Sequence, residues 1–282
     1  KNLEDFILWG KRAYPARKYL LIISGHGFGW KGVALDDESG SSVSIPDLAR
    51  VLARTGGVDV LVSDACRMQM AGVIYELKDS VKYVVASEEN VLGRGSDYRA
   101  LLSLLTRDSG GESKEAAKAA VDAYADRKLT AEEAAGDRSA LASAVHAPAM
   151  GELAPLLNRW IDAVVAAKEG RALYRAKDEA MPFRDRGVNS FYSDSRDLYH
   201  FIELVTQESQ SAEVRGVGAE LMRYISTELV VLNRTNSKRY DNAHGVAVYI
   251  SSRQHDPAYD QLRWAQDTRW PRFLDWLVDN AR

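Results

Sequence analysis

Tyr19-Leu20-Leu21-Ile22-Ile23-Ser24-Gly25-His26-Gly27 and Val58-Asp59-Val60-Leu61-Val62-Ser63-Asp64-Ala65-Cys66 decide the fold between them. The first opens as a continuous apolar run and the second, but for Asp59, does the same, as a strand buried on both faces requires; each then breaks into small and polar residues. Between the two runs a loop extends to Ser44, Pro46 opens a helix that reaches about Arg54, and Gly56-Gly57 closes it. Beyond the second run, Met70, Val73, Ile74 and Leu77 recur at helical spacing, which predicts a helix from about Met68 to Lys78. Tyr83-Val84-Val85-Ala86 reads as a third strand. Strand and helix in alternation predict three parallel strands with right-handed crossovers, the start of an α/β sheet flanked by helices.

Downstream the pattern turns helical. Glu112 to Ala147 is rich in Ala, Glu, Lys and Arg and reads as two amphipathic helices broken at Gly136. Leu153–Lys168, Leu198–Glu208, Glu213–Asn233 and Arg272–Asp279 read as further helices, and Gly245–Ile250 returns to strand character. The expected layout is an α/β core over 1–110, an Ala-rich helical insertion over 111–150, and a helical carboxyl half over 151–282 that returns one strand, 245–250, to the sheet.

Composition bounds the function. With 282 residues, 46% hydrophobic and 27% charged, the chain can bury a core and is neither disordered nor collagenous. Its net charge of -3, from 37 Lys+Arg against 40 Asp+Glu, provides no global basic field, so nucleic acid is a poor partner. The single cysteine, Cys66, forbids an intrachain disulfide and a cysteine zinc cage. No apolar run approaches the ~20 residues that span a bilayer, and the first residues lack the apolar stretch of a signal peptide. Nothing in the patterning fixes an oligomeric state.

In an open parallel sheet, chemistry sits beyond the carboxyl ends of the strands. His26 follows the first strand there, Cys66 the second, and Ser87–Asp97 the third. A thiol with pKa ~8.5 is a weak nucleophile at neutral pH, and a neighbouring imidazolium or a helix amino terminus favours the thiolate. Cys66 has both on offer: it stands just ahead of the helix expected from Met68, whose free amides, together with the backbone amide of Gly27, can serve as oxyanion donors. A lone cysteine is more often a small buried hydrophobe, but its place opposite His26 outweighs that here. His146, His200 and His255 lack a strand-end context and read as surface or capping residues. His244 is also followed by glycine, yet it precedes its strand and should lie at the wrong end if that strand is parallel. Gly27-Phe28-Gly29-Trp30-Lys31-Gly32 fits G-x-G-x-x-G, but no helix opens at the glycines, which sets nucleotide binding aside.

His26-Gly27 after one strand and Asp64-Ala65-Cys66-Arg67-Met68 after the next resemble the clostripain-like family of caspase-fold cysteine peptidases. The likeness extends to Tyr14-Pro15-Ala16-Arg17-Lys18-Tyr19, Gly29-Trp30, Ala86-Ser87-Glu88-Glu89, Asp197-Leu198, Gly245–Tyr249 and Trp270–Leu274. It implies a caspase-like, mainly parallel sheet with a largely helical carboxyl half, and an endopeptidase that forms an acyl-enzyme. By resemblance, Cys66 is the nucleophile, His26 the base and later acid, and Gly27 and Cys66 supply the oxyanion amides. Asp64 is the acid on the pocket floor that favours Arg or Lys before the scissile bond; a helix cap is its other reading. Ser87 and Glu88 fall in the substrate-binding segment. Arg94 stands where the family carries a second pocket acid, and Arg67 replaces the usual aliphatic residue.

The family's opening strands lie upstream of anything in this sequence. No lysine or arginine occurs in Val33–Ala49, so a trypsin-like self-cut between His26 and Cys66 is not expected. No cofactor is expected; Ca²⁺ enters by family analogy only, and Asp36-Asp37-Glu38 reads better as a solvated acidic loop. The partner implied is a peptide or protein, and the analogy implies export or a place in the cell envelope. Two other classes compete: a catalytically idle caspase-fold binding module, which slow alkylation of Cys66 would reveal, and a nucleotide-binding α/β protein, which thermal shifts with nucleotides would reveal.

Overall fold

The two apolar runs become neighbouring strands. In the computed structural model, which describes residues 2–107, 111–131, 133, 140–183, 194–251 and 253–280, β1 (Leu20–Ser24) runs parallel to β2 (Val58–Asp64). β3 (Val81–Ala86) continues the parallel array beside β2. Leu21, Ile23 and Leu61 face one helical layer while Val60 and Val62 face another, which is why the runs lack a polar side. Between β1 and β2, α2 (Ile45–Arg54) buries Ile45, Leu48 and Leu52; Ser44 caps it by accepting the Asp47 N–H, and Pro46 sits in its first turn.

Two further strands arise where composition predicts helix. β4 (Leu141–His146) pairs antiparallel with β3, and β6 (Val230–Thr235) pairs antiparallel with β4, giving the order β1-β2-β3-β4-β6. The segment expected as two helices over Glu112–Ala147 therefore holds one helix, α5 (Ser113–Ala125), and a strand. Ala142 and Ala144 pack in the layer of α5, against Ala117, Ala120 and Val121; small side chains serve this contact, and burial on both faces overrides a helix propensity of tenths of a kcal/mol per residue. Gly136, the expected break, lies outside the described residues. The helix expected over Glu213–Asn233 ends at Tyr224, passes through a π turn at Ile225–Leu229 and becomes β6, where Val230 and Val231 prefer the extended chain.

The strand expected over 245–250 does not join the main sheet. β7 (Ala247–Tyr249) pairs antiparallel with β5 (Ser195–Asp197) in a separate two-stranded sheet and meets the segment after Cys66 in a single parallel bridge, Met70 to Ala247.

Helices α4 (Tyr98–Arg107) and α5 cover one face of the main sheet. The other face carries α1 (Asn2–Ala13), α2, α3 (Ala71–Leu77) and the helices of the carboxyl half. There Trp160 packs edge-on against Phe201 at 5.9 Å and Phe273 at 5.8 Å, and one core cluster runs from Ile7 to Leu277. Among the described residues no helix is long and apolar enough to cross a membrane.

Candidate active site

Register brings His26 and Cys66 together. Ser24 is paired with Asp64 on the last rung of the β1–β2 ladder, and the Gly25 N–H continues it to the Asp64 carbonyl at 3.3 Å. His26 and Cys66 each stand two residues beyond that rung, on strands ~4.8 Å apart. Side chains alternate along the strands, so Ser24 follows Ile22 and Asp64 follows Val62 toward the α4 and α5 face, where Tyr98 meets Asp64. His26 is exposed, with its ring stacked on Phe28 at 6.4 Å, and Cys66 is half-buried.

Gly27 makes this approach close. A Cβ built there would lie 2.4 Å from the Cys66 carbonyl oxygen and 2.9 Å from its nitrogen, so only glycine lets the histidine loop rest on the cysteine backbone. The Gly27 N–H makes no backbone hydrogen bond among the described residues.

The helix after Cys66 starts later than the sequence suggests. α3 begins at Ala71 because Arg67 and Gln69 give their N–H groups to the carbonyls of Glu89 and Ser87, which holds the chain out of helix at 3.1 Å in both cases. Its amino terminus is thus set back from the thiol, and the backbone of the loop stands beside it instead. Arg67 adopts a left-handed φ of +61 and is buried.

Asp64 does not cap α3. Its Oδ2 accepts the Ser96 N–H at 3.0 Å and the Tyr98 hydroxyl at 2.5 Å, while Oδ1, also buried, has no hydrogen-bond partner among the described residues. That carboxyl lines a cavity of about 10 Å³ with Ser87, Val62, Val85, Ala120 and Tyr124. Burial, followed by the Asp64 contact, pushes the Tyr98 hydroxyl up to about 12. Tyr98 was not foreseen; Asp97, whose carboxylate accepts the Ala100 N–H, and Leu101 and Leu105 at helical spacing are the signal for the helix that carries it.

The other expected pocket residues separate. Ser87 is buried at the cavity wall, its hydroxyl accepting the Glu89 N–H. Glu88 is buried beneath the surface, where its carboxyl accepts the Gly245 N–H at 3.1 Å. Arg94 is exposed and lines a different cavity, of about 620 Å³, beside Asp97, Arg107 and Lys128; neither Asp64 nor Cys66 lines it.

The remaining histidines have other partners. His200, read from sequence as a surface or capping residue, is buried, and its Nδ1 accepts the Met181 N–H. His255 is clasped between Asp275 and Asp260 at 2.9 and 3.0 Å. His244 does not lie at the far end of the sheet: the next residue, Gly245, bonds to Glu88 just beyond β3, because β7 belongs to its own sheet. Its ring instead packs on Tyr199 at 4.2 Å, and burial pulls its pKa down to about 4. Gly27–Gly32 closes on itself through the Phe28 N–H and the Gly32 carbonyl; a single 3₁₀ turn, Gly29–Lys31, is all that forms at the glycines, and the next α-helix opens at Ile45. Asp36 folds onto its own loop, accepting from Ser39 and from the Glu38 N–H, and no group of three or more acidic, His or Cys side chains among the described residues is arranged to hold a metal.

The clostripain family model matches residues 1–276. No curated protein sequence matches. Among solved structures, the chain resembles a secreted C11 cysteine protease from Bacteroides thetaiotaomicron in complex with an irreversible peptide inhibitor, with a TM-score of 0.69 and 19% identity over 95% of this chain and 77% of that one. It also resembles an inactive zymogen C11 protease from Parabacteroides distasonis, with a TM-score of 0.63 and 17% identity over 94% and 74% of the two chains. A B. fragilis cysteine protease aligns at 0.55, with 18% identity over 84% and 97%. These likenesses match the mainly parallel sheet and its flanking helices.

Proposed function

The chain belongs to the clostripain family and is a cysteine endopeptidase, and from that premise we propose that Cys66 and His26 form its catalytic dyad and that Asp64 directs it to bonds after arginine or lysine. The observation that carries the reading is the register: both residues lie two positions past the Ser24–Asp64 rung, with Gly27 seated on the Cys66 backbone.

In this reading the Cys66 thiolate attacks the scissile carbonyl carbon, the carbonyl electrons move to oxygen, and the N–H groups of Gly27 and Cys66 receive that charge. Collapse breaks the C–N bond, and the His26 imidazolium gives its proton to the departing amine. The thioester that remains is cut by water, whose proton His26 takes before returning it to sulfur. Asp64 supplies specificity. Asp64 lines the small cavity, and its buried Oδ1, which has no hydrogen-bond partner among the described residues, can receive a guanidinium or ammonium in a charge-assisted bond. Filling that cavity requires the 94–98 loop to move outward, since it holds Asp64 from above through Ser96 and Tyr98.

The test is cleavage of a peptide library varied at the residue before the scissile bond. Efficient cleavage after Arg and Lys is the expected result; a small neutral preference would remove Asp64 from its role. Because Arg94 lines another cavity, Arg94→Asp is expected to change cleavage after Arg by less than about threefold, the scale of a screened surface charge. A gain of ten- to a hundredfold would return Arg94 to the pocket. Asp36 is engaged by its own loop, so EDTA is expected to leave activity within a few-fold; complete loss with rescue by Ca²⁺ would show the opposite. Family analogy further supports export as the destination of this protein.

A further inference from the structure

Glu88 and Asp197 are buried at 1% and 0% exposure, their carboxyls come together at the consecutive amides of His244 and Gly245, and Glu88 Oε1 is buried with no hydrogen-bond partner among the described residues. Asp197 accepts on both oxygens: Oδ1 takes the His200 N–H at 2.7 Å and Oδ2 the His244 N–H at 2.6 Å, and lone pairs remain for one more donor. Glu88 Oε2 takes the next amide, Gly245 N–H, at 3.1 Å. The two acids thus grip consecutive backbone groups of one segment. Only oxygen lone pairs remain between the carboxyls, so their contact requires a proton, and Glu88 Oε1 is the oxygen left to carry it. Among the described residues neither carboxyl forms an ion pair; Arg239 reaches the neighbouring Glu89 instead, at 4.0 Å.

This pair is wired to the segment after Cys66. Glu88 lies between Ser87 and Glu89, whose carbonyls hold the N–H groups of Gln69 and Arg67. Gly245, on the other side, gives its carbonyl to the Ser143 hydroxyl at 2.7 Å, and Ser143 accepts the Gln69 side-chain amide at 2.9 Å. The Ala247 N–H then bonds the Gln69 carbonyl at 2.9 Å. Gly245 sits at φ +101, and a Cβ there would meet Ser143 and Val230 at 3.0 and 3.1 Å, so the ring is closed with little slack. We propose that Glu88 and Asp197 are positioning residues that share one proton and, through it, clamp the 244–247 segment and the Cys66 loop in their working arrangement.

The inference rests on Cys66 being the nucleophile, and its sign follows from burial. Burial raises both acids, Asp197 to about 7 and Glu88 well above the carboxylate range, whereas in an unfolded chain both ionise near ~4. The folded protein therefore holds the extra proton, and stability falls as pH rises from ~4 through neutrality, until the folded pair ionises. The groups around the pair do not mimic this. Burial lowers the pKa of both His200 and His244, burial raises that of Tyr199, and Glu203 lies beyond Tyr199; Glu89 faces Arg239.

The test compares Glu88→Gln with the unmodified protein in two measurements. Glutamine keeps the acceptor for Gly245 and donates permanently to Asp197, so it removes the titration and retains the contacts. The expected melting curves show the variant gaining on the unmodified protein steadily from pH 4.5 to 7.5. The expected cleavage rates show the pH 8 to pH 6 ratio rising by about threefold or more, while Glu88→Ala loses rate at both pH values. A melting difference that does not change with pH overturns the shared proton. A melting difference that grows while the cleavage ratio stays fixed overturns the link to the Cys66 loop. If no peptide is cut by the unmodified protein, the reading of Cys66 fails, and melting still decides whether the proton is shared.

Discussion

Replacing Cys66 with alanine, or His26 with alanine, is expected to lower peptide cleavage by ~10⁴-fold or more while leaving the fold intact, because a nucleophile and its base act as a unit and neither half retains the chemistry. The structure makes the second half of that expectation specific. His26 is exposed and Cys66 half-buried, so shortening either side chain opens no core cavity, and melting temperatures should stay close to the unmodified value. The same pair predicts fast alkylation: iodoacetamide should label Cys66 faster than a model thiol, and His26→Ala should slow it. Labelling at the model rate, with no cleavage of any peptide, would leave the idle binding module as the reading. His244 is the control. Its ring packs on Tyr199 and its backbone N–H serves Asp197, a bond that glutamine keeps, so His244→Gln should retain most of the cleavage rate.

Asp64→Asn is expected to reduce kcat/KM for cleavage after Arg by about two orders of magnitude, and to leave a substrate with a neutral residue there within a few-fold. Removing one charge of a buried ion pair costs ~2–4 kcal/mol, and each 1.36 kcal/mol is tenfold. Asparagine preserves the shape and can still accept the Ser96 N–H and the Tyr98 hydroxyl, so the loop above should keep its place. Equal losses for both substrates would mean that Asp64 supports the Cys66 strand and does not read the substrate.

The parallel part of the fold was legible because β1, β2 and β3 are buried on both faces, and that condition writes itself into Leu20–Ile23, Val60–Val62 and Tyr83–Ala86 as apolar runs. β4 was hidden for the opposite reason. Its residues are small, so Leu-Ala-Ser-Ala-Val-His carries the composition of a helix, and only the closeness of α5 makes it a strand. His26 and Cys66 were visible as residues that follow strands, a local property. Tyr98 over Asp64, and the Glu88–Asp197 contact, join positions 34 and 109 residues apart by side chains alone, and no periodicity marks such meetings. His244 was misplaced because the strand following it pairs in a second sheet that the local pattern does not distinguish from the first.

The bridge from Met70 to Ala247 also sets an order in time. β1, β2 and β3 lie within the first 86 residues, so a chain emerging from the ribosome can bring His26 and Cys66 to the same sheet end with short-range contacts. Ala247, whose N–H holds the Gln69 carbonyl, and Gly245, which bonds Glu88, arrive some 160 residues later. Until that segment is made, the sheet end that carries His26 and Cys66 lacks the backbone that steadies the loop after Cys66. The loop after Cys66 is therefore set only once a segment some 160 residues further along has folded against it.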